Sequence, residues 1–177
     1  MRIVAGSRKG ATIFAPNGLD TRPTGDRVRE AAFDLIGSVD GANVLDLFAG
    51  SGALGLEALS RGAARATFVE QDEAAARMIV RNLEKLRLQG AVVLRDDARR
   101  KLAADAAAGN RYDLVLVDPP YGRYSDLEMT LDDLLPPVLS DQGLLVVETD
   151  GRTQPALSLE QVTSRRYGST RVTVYAR

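Results

Sequence analysis

From position 43 onward, short apolar runs rich in β-branched residues alternate with longer stretches whose apolar residues recur at helical spacing. The runs at 43–48, 66–70, 91–94, 112–117 and 143–148 predict five strands. The stretches between them predict helices over 53–60, 73–88, 98–107 and 127–139. In the second of these, Ala75, Met78, Ile79, Leu83 and Leu86 share one face. Strands that are apolar almost throughout imply a parallel sheet covered by helices on both sides. Right-handed crossovers then make it an open, doubly wound α/β sheet.

Both ends break this rhythm. Segments 160–166 and 170–176 predict two strands joined through Tyr167, Gly168 and Ser169, an antiparallel hairpin that closes a mostly parallel sheet of seven strands. At the front, 2–5 and 11–15 pair across 6–10 as a small β-hairpin. A helix follows, with Thr24 and Asp26 as cap candidates and Val28, Ala32, Leu35 and Ile36 facing inward. The organisation expected is a basic hairpin extension over 1–20 and a single domain over 21–177.

Composition narrows the chemistry. A chain of 177 residues, 45% hydrophobic and 27% charged, has the make-up of an ordinary globular domain, with no apolar stretch long enough to span a membrane. It contains no Cys and no His, which removes disulfides, thiolate metal sites, Cys nucleophiles and the commonest general base. No metal is expected, a reducing cytoplasm is the expected compartment, and a monomer is the expected state. The net charge of −1 hides an asymmetry. Residues 1–30 carry +3 and residues 151–177 carry +4, so the body is acidic. Basic ends suit phosphate contacts, although exposed arginines are equally compatible with simple solvation.

Two segments carry candidate chemistry. Gly50-Ser51-Gly52-Ala53-Leu54-Gly55 follows a strand and opens a helix, so its backbone can approach a ligand at the helix N-terminus. Glu70, at the end of the second strand, is placed to hold the hydroxyls of an adenosine ribose. This pattern also fits a nicotinamide dehydrogenase. Asp46, just before the glycines, would repel a pyrophosphate but could take the amino group of a methionine moiety. The second segment, Asp118-Pro119-Pro120-Tyr121, ends the fourth strand. Its prolines lack N–H donors, so the Asp118 carboxylate and the Pro119 carbonyl become aimed acceptors beside an aromatic face. Such a turn suits a planar group bearing an amine, with Tyr121 stacking on it. The plainer alternative is a strand-end turn with Tyr121 as partial core. Together the two segments point to S-adenosylmethionine.

The ordered segments 46–55, Glu70, Asp97-Ala98 and 118–121 resemble the motifs of class I, Rossmann-like methyltransferases acting on exocyclic amines. Over nearly its whole length the chain resembles bacterial 16S rRNA guanine-N2 methyltransferases of the RsmD type. The carrying residues are 2–6, 22–30, 46–55, 117–121 and 166–170. Two positions depart: Gly25 stands where the family commonly has Thr, and Asp34 where it often has Asn.

The resemblance implies methyl transfer from S-adenosylmethionine, leaving S-adenosylhomocysteine, to the N2 amine of guanine-966 in the family's convention. The substrate would be 16S rRNA in an assembling or assembled 30S subunit. Asp118, Pro119, Pro120 and Tyr121 would be catalytic. Asp46, Phe48, Ala49, Gly50, Ser51, Gly52, Gly55, Glu70, Asp97 and Ala98 would bind the cofactor, with Asp96 competing for the adenine. Arg8, Lys9, Arg22, Arg27 and Arg29 would touch RNA, unless Arg27 and Arg29 pair with Asp26 or Glu30 on their own helix. Adenine-N6 DNA methylation and a non-catalytic RNA-binding role are the alternatives within this fold.

Overall fold

The computed structural model describes residues 1–15, 25–120 and 122–177. Thr24, Arg22 and Tyr121 therefore lie outside the described residues. Seven strands form one sheet in the order β3-β2-β1-β4-β5-β7-β6. They are β1 (Asn43–Leu47), β2 (Arg65–Glu70), β3 (Ala91–Arg95), β4 (Tyr112–Val117), β5 (Leu139–Asp150), β6 (Glu160–Tyr167) and β7 (Thr170–Ala176). The pairs β1–β2, β1–β4, β2–β3 and β4–β5 are parallel; β5–β7 and β6–β7 are antiparallel. This is the doubly wound sheet with a terminal hairpin that the apolar runs predict.

Alternation along the strands splits the core in two. Val44, Ala66, Phe68, Leu114 and Leu116 face one side, under α1 (Asp26–Ile36), α2 (Ala53–Ser60) and α3 (Glu73–Leu86). Leu45, Leu47, Val69, Val115 and Val117 face the other, under α4 (Ala98–Ala108) and α5 (Tyr124–Leu134). The central strands are buried on both faces, hence their continuous apolar sequence.

Three expectations need correction. The helix expected over 127–139 starts at Tyr124 and stops at Leu134, because Pro136 and Pro137 cannot continue it and form a 3-10 turn, Pro136–Val138. The cap of α1 is Gly25, whose lack of a side chain leaves no capping bond, while Asp26 pairs with Arg2 and Arg29. The front hairpin is reduced to one bridge, Arg2–Thr12, with amide bonds from Ile3 to Ala11 (2.9 Å), Gly10 to Ile3 (2.8 Å) and Ile13 to Met1 (3.1 Å).

That N-terminal arm, residues 1–15, is fastened to the sheet domain by apolar and polar contacts alike. Ile3 and Ile13 are buried in the first core. The Glu57 carboxylate, fully buried on α2, accepts the amides of Val4 (2.8 Å) and Ala5 (2.9 Å) and pairs with Arg29 and Arg61.

Candidate active site at the carboxyl ends of the central strands

β1 ends in a loop in which Phe48 (φ 59°), Gly50 (φ 55°) and Gly52 (φ 80°) all take left-handed backbone. A phenylalanine there is strained, and such strain is kept only where the surroundings impose it. They do. The Ala49 amide donates to the Val69 carbonyl (3.1 Å), the Gly50 amide to Glu70 Oε2 (2.8 Å) and the Gly52 amide to the Ala49 carbonyl (2.7 Å). Glu70 Oε1 accepts the Asp72 amide (2.8 Å), so the acid at the tip of β2 holds the loop as well as facing the rim.

Gly55 explains the third glycine. A Cβ there would sit 2.3 Å from the Phe68 ring and 3.0 Å from an Asp46 oxygen. Its absence lets α2 lie against the sheet and lets the Gly55 amide donate to Asp46 Oδ2 at 2.9 Å. Asp46 is only 2% exposed. Burial drives its carboxyl well above the ordinary range; the Gly55 hydrogen bond opposes this, and the charges of Asp118 and Glu70 add to the rise. One oxygen is committed to α2, so Asp46 acts on the loop from beneath.

At the next strand ends, Asp97 is the N-cap of α4, accepting the Arg99 (3.0 Å) and Arg100 (3.2 Å) amides. The hydrogen bond from the Arg99 guanidinium holds its carboxyl below the usual range, and the amides help. Asp96 instead accepts the Asp97 amide (2.7 Å) and pairs with Arg100. Asp97, Phe48, Gln71, Arg99, Pro120, Arg123 and Leu127 line one open cleft. Residues far apart in sequence, from the ends of β1, β2, β3 and β4, thus meet there. Ala98 opens α4 and is buried in the second core.

Asp118 is half-buried and follows Val117 directly, on the strand next to β1. Pro119 is buried and Pro120 exposed; the Pro120 carbonyl accepts the Arg123 amide at 3.1 Å. Among the described residues nothing donates to the Pro119 carbonyl. Tyr121 lies outside the described residues.

The expected RNA contacts divide. Arg29 is 4% exposed and binds Asp26, Glu57 and the Arg2 carbonyl, so it is a structural cation and not a surface contact. Arg8 donates to the Leu86 and Arg87 carbonyls, satisfying the C-terminus of α3. Lys9 and Arg27 are exposed, and Arg22 lies outside the described residues.

Three residues escaped sequence reasoning. Glu57 and Asn82 are polar positions inside otherwise apolar helix faces, which is the signal that was there to read. Glu148 lies within β5, one residue past the Val147 that pairs with Val117, and it is buried where β5 pairs with β7.

Comparison with known proteins decides the family. The sequence profile described as "Conserved hypothetical protein 95" matches residues 1–176. Ribosomal RNA small subunit methyltransferase D of Escherichia coli K12 is 41% identical over 152 residues, covering 85% of this chain and 75% of that protein. The chain belongs to the RsmD family. The Haemophilus influenzae protein of the same name is 33% identical, covering 99% of this chain and 91% of its own length. Among solved structures, a hypothetical protein of Thermus thermophilus superposes with a TM-score of 0.84 at 31% identity, covering 99% and 98% of the two chains. TrmN from Thermus thermophilus, at 24% identity and a TM-score of 0.67, shares the fold. Among the described residues no group of acids is arranged to hold a metal, and no helix is long and apolar enough to cross a membrane.

Proposed function

We propose that this chain transfers the sulfonium methyl of S-adenosylmethionine to the N2 amine of a guanine in 16S rRNA, the position numbered 966 in the family's convention. The observation that carries the reading is the adjacency of a fastened glycine loop after β1 and the Asp118-Pro119-Pro120 turn after the neighbouring parallel strand β4. The family's small-subunit rRNA methyltransferases supply the substrate class.

The guanine N2 lone pair is delocalised into the ring. Accepting its two hydrogens at Asp118 and at Pro119 O draws the amine towards a tetrahedral shape and aims the lone pair at the methyl. Positioning at about 3–3.5 Å then supplies most of the acceleration, without a strong base. A chain free of His fits that scheme. Tyr121 would stack the extruded base, a contact worth about 1–3 kcal/mol. Glu70 would take the ribose hydroxyls, Asp97 the adenine amine, and Phe48 and Pro120 the flat faces of the purine cleft. Lys9, Arg27 and Arg22 remain as the phosphate contacts, and a partly or fully assembled small subunit as the particle on which they act.

The deciding experiment is mass mapping of rRNA from cells lacking the gene, with and without complementation. The expected outcome is one N2-methylguanine lost and restored. A methyl on adenine N6, or none anywhere, would remove the proposal.

A further inference from the structure

Asn82 is fully buried in the middle of α3, on the face that should be apolar, and it touches no residue assigned to the methyl-transfer step above. Its amide makes three of its four possible hydrogen bonds. Oδ1 accepts the Phe14 amide at 2.7 Å, and Nδ2 donates to the Phe14 carbonyl and to the Ser51 carbonyl, both at 3.1 Å. Turning the amide over would set its N–H₂ against an N–H and its oxygen against two carbonyls, so the network itself fixes the orientation. One side chain therefore holds the arm by both backbone groups of Phe14 and the glycine loop by the carbonyl between Gly50 and Gly52.

Other contacts join the arm to the loop and to α3. Ser51 Oγ lies 3.7 Å from the Met1 sulfur, a direct meeting of loop and arm. Lys85 donates to Thr12 Oγ1 at 2.9 Å, and the Arg81 and Lys85 cations stand over the Phe14 ring at 4.7 and 4.6 Å. Glu70 and Asp46 hold the loop from the sheet side, at Gly50 and Gly55, whereas Ser51 is held from the α3 side by Asn82. The arm and the loop share a fastening, and what orders one must help to order the other.

We infer that Asn82 is a positioning residue for the cofactor loop, and that through it seating of the N-terminal arm and binding of S-adenosylmethionine are coupled. The inference rests on the reading of this loop as the cofactor site. With the arm seated, the Ser51 carbonyl is fixed and the loop meets its ligand already ordered. A substrate particle that presses on the arm would by reciprocity tighten cofactor binding.

The test uses the full chain with S-adenosylhomocysteine as probe. Hydrogen exchange is followed at the Ile3 and Ile13 amides, whose bonds to Ala11 and Met1 knit the arm together. In the wild-type protein the probe should slow both severalfold. In Asn82→Ala the probe should bind tenfold or more weakly and leave arm exchange unchanged. The KM for S-adenosylmethionine should rise by a similar factor, while kcat at saturating cofactor stays within a few-fold. A merely structural role would lower kcat as well.

Unchanged arm exchange in the wild-type protein on saturation with the probe overturns the coupling, whether or not Asn82→Ala folds. Unchanged affinity in a folded Asn82→Ala overturns the positioning role. A wild-type chain that binds no probe overturns the cofactor reading and this inference together, and that titration comes first.

Discussion

The loop after β1 and the turn after β4 stand side by side at the carboxyl ends of two central strands, yet they are built in different ways. The loop is tied down: its amides donate to Val69, Glu70 and Ala49, and the Ser51 carbonyl is taken by Asn82. The turn draws its stiffness from another source. Its two prolines fix the backbone by covalent geometry and offer no N–H, and nothing among the described residues donates to the Pro119 carbonyl. A site that must hold a cofactor in one shape can be organised by hydrogen bonds from its own fold. A site that must accept hydrogens from a substrate needs acceptors in fixed positions, and proline gives rigidity without adding a donor of its own to occupy them.

The largest break in this contrast should come from the turn. Asp118→Ala removes an acceptor of the target amine and leaves the loop's fastenings in place. Methyl transfer in a single turnover should fall by about a hundredfold or more, on the order of 2.7 kcal/mol in the barrier. Cofactor affinity by calorimetry should stay within a few-fold. Near-normal transfer would reduce Asp118 to a turn residue and erase the distinction drawn above.

The loop should answer in the opposite sense. In Gly55→Ala the new methyl meets the Phe68 ring and the Asp46 carboxyl, so α2 must move off the sheet. Overpacking of this kind costs about 1–3 kcal/mol, readable in urea unfolding, with weaker cofactor binding beside it. Glu70→Ala, which releases the Gly50 and Asp72 amides together, should weaken S-adenosylmethionine by about tenfold, near 1.4 kcal/mol. If both folded variants bind the cofactor normally, the loop is not its site.

How much of this the sequence discloses depends on how local the cause is. The strands were legible because each central one is buried on both faces and so is apolar throughout. The loop and the turn were legible because glycine and proline act on their own backbone. Glu57 and Asn82 were not, since a buried polar group makes sense only with its partners, and those partners are backbone groups of the arm some fifty and seventy positions away. Arg29 misled for the same reason. In sequence it reads either as an RNA contact beside Arg27 or as a helix partner of Asp26; the Asp26 pair forms, and packing also turns it inward to Glu57. Charge counts cannot separate a docking arginine from a structural one; burial does.

The smallest expected effect concerns the loop and its response to pH. Asp46 lies beneath the loop with its folded-state pKa raised well above the unfolded value of 3.8, chiefly by burial. Between those two values the native protein keeps a proton that the unfolded chain has released, so stability falls as pH rises through that interval. Asn at this position keeps an oxygen for the Gly55 amide and carries no titrating proton. Relative to wild type, Asp46→Asn should therefore gain stability as pH is raised from about 4 upward, levelling off above the folded pKa. Asp97 and Asp105, whose values are lowered by partners of their own, titrate alike in both proteins and cancel in the difference. Paired urea titrations across a pH series measure it directly. A flat difference would show that Asp46 carries no buried-charge penalty, and the fastening beneath the loop would then be indifferent to pH.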